Sequence, residues 1–307
     1  MAFIPNPSVA IILINWNGLE FTRACLSSLE KVDFPDFQVI LVDNDSKKPE
    51  GQVLKKEFPK LVLLENEQNL GFAGGNNVGI RKALEMGFSH IMLLNNDTLV
   101  EPDFLGKMML AFSKNPKLGL LQPMICFLDE PEKIWSAGGK FISLLGRAKT
   151  LGDRKTLKNY QPFSKKLDWA TGCCMLFTRE AILQSGLLNE QYFAYFEDVE
   201  WSLRIRNQGF EIGLVPEAKI YHEAGGSSKK SHSEGTLSAR VFYYHVRNQF
   251  FLLRSQKAGL GFLYHLGRFK LWIFYFLLRG RFRKLKAVAK GIKDGLFTPL
   301  KSAPKWP

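Results

Sequence analysis

Four apolar runs in the first hundred residues each end on a cluster of amides and carboxylates. Val9–Ile14 leads into Asn15-Trp16-Asn17-Gly18, and Gln38–Val42 into Asp43-Asn44-Asp45-Ser46. Leu61–Leu64 leads into Glu65-Asn66-Glu67-Gln68-Asn69-Leu70-Gly71, and His90–Leu94 into Asn95-Asn96-Asp97-Thr98. An aspartate placed like Asp43 can accept from the ring N3–H of a uracil or thymine, with Asn15 and Asn17 framing base and ribose. The same oxygens could instead close an Asx turn at the start of the loop. Gly71-Phe72-Ala73-Gly74-Gly75-Asn76-Asn77 precedes a helical pattern, where glycines admit a ligand close to the backbone and a helix N-terminus favours phosphate. Its spacing is not that of a G-x-G-x-x-G dinucleotide loop, and simple turn formation is the alternative use. Farther on, Glu197-Asp198 opens the pattern EDVEWSLR; acids in a first helical turn also complement the helix dipole. His222 closes an apolar stretch just before Gly225-Gly226-Ser227-Ser228.

These clusters need a frame that brings them to one edge. Between the four runs, Leu19–Lys31, Lys47–Phe58 and Asn76–Met86 have helical periodicity, with Gly87 as a stop. Strands alternating with helices imply a mostly parallel sheet with right-handed crossovers, whose ligands sit outside the carboxyl ends of the strands. Beyond residue 117, Leu118–Cys126 continues the sheet and Trp135–Phe163 reads as an irregular loop region. Asp168–Phe177 reads as a strand containing a glycine turn, Arg179–Gln184 as a short helix capped by Thr178, Glu197–Gln208 as a helix stopped by Gly209, and Phe210–Val215 as a strand.

Charge divides the chain. The net charge is +13, yet residues 1–239 hold 27 Lys and Arg against 28 acids, while residues 240–307 hold fifteen against the single Asp294. A near-neutral body with a basic tail excludes a protein that coats nucleic acid along its whole surface. With 307 residues and 46% hydrophobic content, the chain can bury a full core. Cys25, Cys126, Cys173 and Cys174 have neither zinc-site spacing nor a disulfide framework, so reduced thiols in a cytoplasmic setting are expected. The N-terminal apolar run lacks the basic start and length of a signal peptide and reads as a buried first strand.

The stretches IILINWNG, VDNDS, NLGFAGGNNVGI, LLNNDT, DWATGCCML, YFEDVEWSLRIRNQGF, IYHEAGGSS and YYHVRN, in that order over about residues 9–248, resemble the family 2 glycosyltransferases. The resemblance is to their bacterial rhamnosyltransferase-like branch. It implies an α/β GT-A fold, Rossmann-like, with a mostly parallel central sheet flanked by helices. It implies an inverting transfer of rhamnose from dTDP-rhamnose (or another sugar from a dTDP- or UDP-sugar) to a cell-surface polysaccharide or lipid-linked saccharide. It assigns Asp198 as the base, with Glu197 beside it, because one carboxylate near the acceptor hydroxyl suffices for a single displacement. Donor contacts fall on Asn15, Asn17, Asp43, Asn69, Gly71, Gly74, Asn76, Asn96 and Arg247, and acceptor contacts on Trp169, Thr171, Gly172 and Trp201. Asn95-Asn96-Asp97 stands where the family carries Asp-x-Asp, so Asp97 with His222 would hold the divalent cation, Mn²⁺ or Mg²⁺; the imidazole favours Mn²⁺.

The expected organisation is a catalytic domain over 1–235, divided near 125 into nucleotide and acceptor halves, and a helical, basic extension over 236–307. In the extension, apolar and basic residues alternate from Leu260, and the longest unbroken apolar stretch, Leu271–Leu278, is far short of the ~20 residues needed to span a bilayer. A helix lying in the interface of the inner membrane, on its cytoplasmic face, fits that pattern. Packing on the body or a homo-oligomer contact is the other use. Two other functions compete: a sugar-nucleotide nucleotidyltransferase, whose Gly-rich basic loop near the first strand is missing here, and a membrane-associated carbohydrate-binding protein without turnover.

Overall fold

The computed structural model describes residues 8–162, 164–223, 234 and 237–306, so the Gly225–Ser228 run lies outside the described residues. The chain begins with an alternation of β1 (Val9–Asn15), α1 (Leu19–Leu29), β2 (Phe37–Asp43), α2 (Glu50–Glu57), β3 (Val62–Glu65), α3 (Gly71–Glu85) and β4 (His90–Asn95). There follow β5 (Thr98–Val100), α4 (Phe104–Lys114), β6 (Leu118–Phe127), β7 (Ile134–Ser136), β8 (Gly139–Ile142), β9 (Arg147–Thr150) and β10 (Lys166–Leu167). Then come β11 (Cys174–Thr178), α5 (Arg179–Ser185), α6 (Glu197–Asn207), β12 (Glu211–His222), α7 (Ala239–Ser255), α8 (Gly259–Leu278) and α9 (Phe282–Phe297).

The main sheet runs β10-β12-β6-β11-β4-β1-β2-β3. β4, β1, β2 and β3 are mutually parallel, and β12 is parallel to β6. β11 enters antiparallel between β4 and β6, joining the two parallel parts. Side-chain alternation along β1 divides the core, as a period of two requires. Ala10 and Ile12 pack with α3, α5 and α6, whereas Val9, Ile11 and Leu13 pack with α1, α2 and α4. All four cysteines are buried and free.

Three sequence expectations are corrected. The glycine-rich segment is not a loop before a helix but the first two turns of α3. Two glycines of α3 serve helix–sheet approach: a Cβ on Gly75 would lie 3.1 Å from Ile14 Cδ1, and one on Gly79, just beyond the segment, 2.5 Å from Ile12 Cγ2. The region 135–163 holds β7 and the β8–β9 hairpin, short strands whose exposed basic residues hide any periodicity. β12 continues past Val215 to His222, because a bulge between Val215 and Lys219 absorbs Pro216 and lets pairing resume.

The last three helices form their own small core, in which Val246, Phe250 and Leu253 of α7 meet Phe269, Phe276 and Val288. The chain then straps back onto the body: Leu187 N–H donates to the Pro304 carbonyl (2.8 Å), and Trp306 packs on the main core. Among the described residues no helix is long and apolar enough to cross a membrane. One face of α8 is nonetheless bare: Leu260, Leu263, Leu271, Phe274 and Leu278 follow helical spacing, with Leu263 72% and Leu278 69% exposed.

Candidate active site

The loops after β1 and β2 are lashed together by buried polar groups. Asn15 is fully buried; its Nδ2 donates to Asp43 Oδ2 (3.0 Å), Ser46 Oγ (3.1 Å) and Glu50 Oε2 (3.0 Å), and its Oδ1 accepts from Thr22 Oγ1 (2.7 Å). Asp43 also accepts from the N–H groups of Ser46 (2.9 Å) and Gly51 (3.1 Å). The carboxylate therefore closes the loop on a backbone N–H three residues on, not the two of an Asx turn, and three of its roughly four acceptor positions are in use. Asn17, at φ 52°, accepts the Lys47 N–H on its side chain (3.0 Å). Asn15 and Asp43 brace the wall from behind, while Asn17 stands on it.

That wall encloses a cleft of about 480 Å³ at the carboxyl ends of β1 to β4, within the range of small-molecule sites. Of the expected donor residues, Asn17, Asn69, Gly71, Asn76 and Asn96 line it, together with Asp97. Gly74 instead faces Leu70, where a Cβ would come within 2.8 Å of Leu70 Cβ. Asn76 donates to the Phe72 carbonyl (2.9 Å), and Asn96 to Thr22 Oγ1 (2.8 Å).

Asp97 and His222 meet because β5 pairs with the end of β12, setting His222 opposite Thr98. His222 Nε2 lies 3.2 Å from Asp97 Oδ1. Both side chains are buried, and neither Asp97 Oδ1 nor His222 Nδ1 has a hydrogen-bond partner among the described residues. The edge of Trp135 packs against the imidazole, with ring centroids 4.4 Å apart. Among the described residues no third His, Cys, Asp or Glu joins them. An orphaned buried carboxylate oxygen facing an imidazole fits a cation held by two protein ligands and completed by ligand or water oxygens.

Glu197 and Asp198 start α6 after a contorted approach: Phe193, Tyr195 and Phe196 have φ of 62°, 72° and 69°. Such values are uncommon for bulky residues and concentrate at functional sites. Asp198 accepts from the N–H of Gly172 (2.9 Å) and from its neighbour Val199 (2.8 Å). Burial raises the affinity of Asp198 for a proton, and those two N–H groups oppose it. Glu197 is more deeply buried, its Oε2 has no hydrogen-bond partner among the described residues, and burial with the adjacent Asp198 charge pushes it well above the ordinary glutamate value. Burial thus makes both acids hold their protons more tightly than a free carboxylate, with the two N–H groups opposing this at Asp198 and the adjacent charge adding to it at Glu197. Gly172 separates Asp198 from Phe72 of the cleft wall; a Cβ there would lie 2.9 Å from the Phe72 ring.

The expected acceptor aromatics are elsewhere. Trp201 is fully buried, donates to the Gly186 carbonyl (2.8 Å), and packs at a tilt on Phe177 in the core. Trp169 is 6% exposed and donates to the Lys140 carbonyl (3.2 Å). Neither presents a face to a sugar, because each lies on the inward side of its element. Thr171 is buried, and its N–H donates to Gln122 Oε1 (2.8 Å). Arg247 donates to the carbonyls of Gln191 (2.8 Å) and Tyr192 (3.0 Å) and is not among the described residues of the cleft wall.

A family model described as "Glycosyltransferase like family 2" matches residues 5–239, about three quarters of the chain. The chain belongs to that family. This glycosyltransferase is 26% identical over 268 residues to an N-acetylglucosaminyl-diphospho-decaprenol L-rhamnosyltransferase of Mycobacterium tuberculosis, covering 81% of this chain and 85% of the relative. It is 24% identical to the dTDP-rhamnosyl transferase RfbF of Shigella flexneri, covering 83% of each. Among solved structures it resembles S. aureus TarS 1-349 in complex with UDP-GlcNAc (TM-score 0.59, 16% identity, 94% of this chain and 81% of that one). It also resembles GalNAc-T7 with UDP, GalNAc and Mn²⁺ (TM-score 0.56, 16% identity, 70% and 43%). The fold is GT-A, and the protein is a rhamnosyltransferase-like glycosyltransferase.

Several wall residues of the glycosyltransferase escaped the sequence reading. Asn44 is buried and ties the loops after β2 and β3: its Oδ1 accepts from Asn66 (2.9 Å) and Leu70 N–H (3.1 Å), and its Nδ2 donates to the Gly71 carbonyl (3.1 Å). Arg240, two turns before Arg247 on α7, is the basic side chain on the described wall, 4.9 Å over Phe193 and 5.5 Å over Tyr244. Trp16, 48% exposed, offers the open aromatic face that Trp201 lacks. Its place between Asn15 and Asn17 at a strand end was the available signal.

Proposed function

We propose that this glycosyltransferase moves rhamnose from dTDP-rhamnose, with inversion, to a saccharide carried on a lipid at the cytoplasmic face of the inner membrane. The observation that carries the reading is the Glu197–Asp198 pair at the start of α6: Asp198 is held by the N–H groups of Gly172 and Val199, and Gly172 packs on Phe72 in the wall of a cleft of nucleotide-sugar size. Asp198 takes the proton of the acceptor hydroxyl as its oxygen bonds to the anomeric carbon and the bond to the diphosphate breaks. A single displacement inverts the anomeric centre. The leaving diphosphate gains negative charge, which Arg240 is placed to offset. A divalent cation, when held by Asp97 and His222, would supply further positive charge to the same oxygens. Trp16 offers a stacking face for base or sugar.

Incubating the protein with a panel of dTDP- and UDP-sugars and following nucleotide diphosphate release tests the donor. Release from dTDP-rhamnose is expected to exceed that from UDP-hexoses by about tenfold or more. Preference for a UDP-hexose would overturn the assignment.

For the membrane, the bare face of α8 belongs to a strongly basic tail in which Lys270, Arg279 and Arg283 are also exposed. Each basic residue at an anionic surface contributes about 1 kcal/mol. The full chain is expected to sediment with phosphatidylglycerol-rich vesicles and to be released by salt. Replacing Leu263, Leu271 and Leu278 by Asp should cut binding about tenfold or more. A wild-type protein that stays in the supernatant at low salt overturns the idea.

A further inference from the structure

Asn248 lies on α7, at the end of the YYHVRN stretch and beyond the residues that the family model matches, and is fully buried. Its Nδ2 points at three backbone carbonyls of one short segment: Tyr192 (2.8 Å), Ala194 (2.7 Å) and Tyr195 (2.8 Å). Two amide protons are shared among three acceptors, so the group is fully engaged. Its Oδ1 accepts from Arg247 Nε (2.9 Å), and Arg247 in turn caps the carbonyls of Gln191 and Tyr192. The segment so held contains Phe193, Tyr195 and Phe196, the three bulky residues in left-handed backbone conformations. Left to itself, such a segment would relax, since non-glycine residues disfavour that region.

The segment also has two working ends. Phe193 and Tyr195 are wall residues of the cleft, and the Phe193 carbonyl accepts the Ala73 N–H of the donor-side helix (3.2 Å). Three residues beyond Tyr195 comes Asp198. We propose that Asn248 is a positioning residue for sugar transfer: it locks residues 192–196 in the shape that fixes both the aromatic wall and the approach of the Asp198 carboxylate. The inference rests on Asp198 being the base. Asparagine suits the role because its carboxamide brings two donors on a short stem; aspartate has the same shape and brings none. The clamp also belongs to the helix that packs on α8 and α9, so the basic tail and the base share one support.

Asn248→Asp, Asn248→Ala and Asn248→Ser test this. Turnover with donor and acceptor is expected to fall about 10²-fold for Asp and Ala, the penalty typical of a small misplacement. Ser, which keeps one donor, should lose about tenfold. Loosening the aromatic wall should weaken donor binding by only a few fold, much less than kcat falls, so the larger loss appears in kcat. A loosened segment admits water to Asp198, so the acidic limb of the kcat profile should move to lower pH, away from the value that burial has raised. A folded Asn248→Asp protein with wild-type kcat overturns the proposal. So does a parallel fall in donor affinity and kcat that tracks a lower melting temperature, the sign of a merely structural role. If Asn248→Asp shows no cooperative unfolding, Asn248→Ser carries the test by the same readings. Wild-type turnover across the sugar panel tests the donor reading separately from the ratio of variant to wild type.

Discussion

Asp198→Asn is expected to lower kcat by about 10²–10⁴-fold, the usual worth of a positioned general base, while donor affinity changes little. Asparagine matches aspartate in volume and keeps an oxygen for the Gly172 N–H, so the α6 approach should survive. What disappears is the ability to take a proton. The wild-type acid limb has a predictable sign as well. Asp198 must be ionised to act, and burial raises it above the ordinary aspartate value of about 3.9. Activity should therefore fall as pH drops through a midpoint above that value. Glu197→Gln separates the two acids: a neutral Glu197 is mimicked by glutamine, so kcat should fall far less than for Asp198→Asn. The reverse ranking would make Glu197 the base.

The second large effect concerns Asp97 and His222. Removing divalent cations with excess EDTA, or replacing Asp97 by Ala, is expected to reduce transfer by about 10²-fold or more, since the charge on a leaving diphosphate would lose several kcal/mol of stabilisation. Mn²⁺ should restore activity to the chelated wild type at lower concentration than Mg²⁺, and His222→Asn should narrow that difference, because a nitrogen ligand selects transition metals over Mg²⁺. Undiminished turnover in EDTA would remove the metal from the mechanism. A buried Asp97 Oδ1 that faces His222 Nε2 at 3.2 Å but has no aligned hydrogen bond among the described residues is the structural reason to expect the opposite.

The parts legible in the sequence were those with one dominant local cause. β1, β2, β3 and β4 fall within a residue of their apolar runs, and the rule that ligands gather at strand ends located the cleft. The start of α3 was missed because glycine weakens helix propensity, and tertiary closeness to Ile12 overrides propensity at Gly79. Trp201 and Trp169 misled because aromatic type does not disclose which side of an element faces the core. Arg247 and Arg240 are two turns apart on α7; only the position of the Phe193 segment shows which one reaches the cleft and which holds carbonyls. Asn248, adjacent to Arg247, had no local signal of its role, since its three acceptors lie more than fifty residues earlier.

The return of the chain end to the body has a consequence for any shortened version of this protein. A boundary drawn at residue 235 looks natural from charge alone, yet Arg240 and Tyr244 beyond it close one side of the cleft. Even the final segment is tied in, through the Pro304 carbonyl and the Trp306 ring. Premature termination would thus expose main-core surface and open the site in the same event. Truncated translation products would be poor catalysts and ready targets for proteolysis, so the C-terminal strap and the chemistry are inherited as one unit.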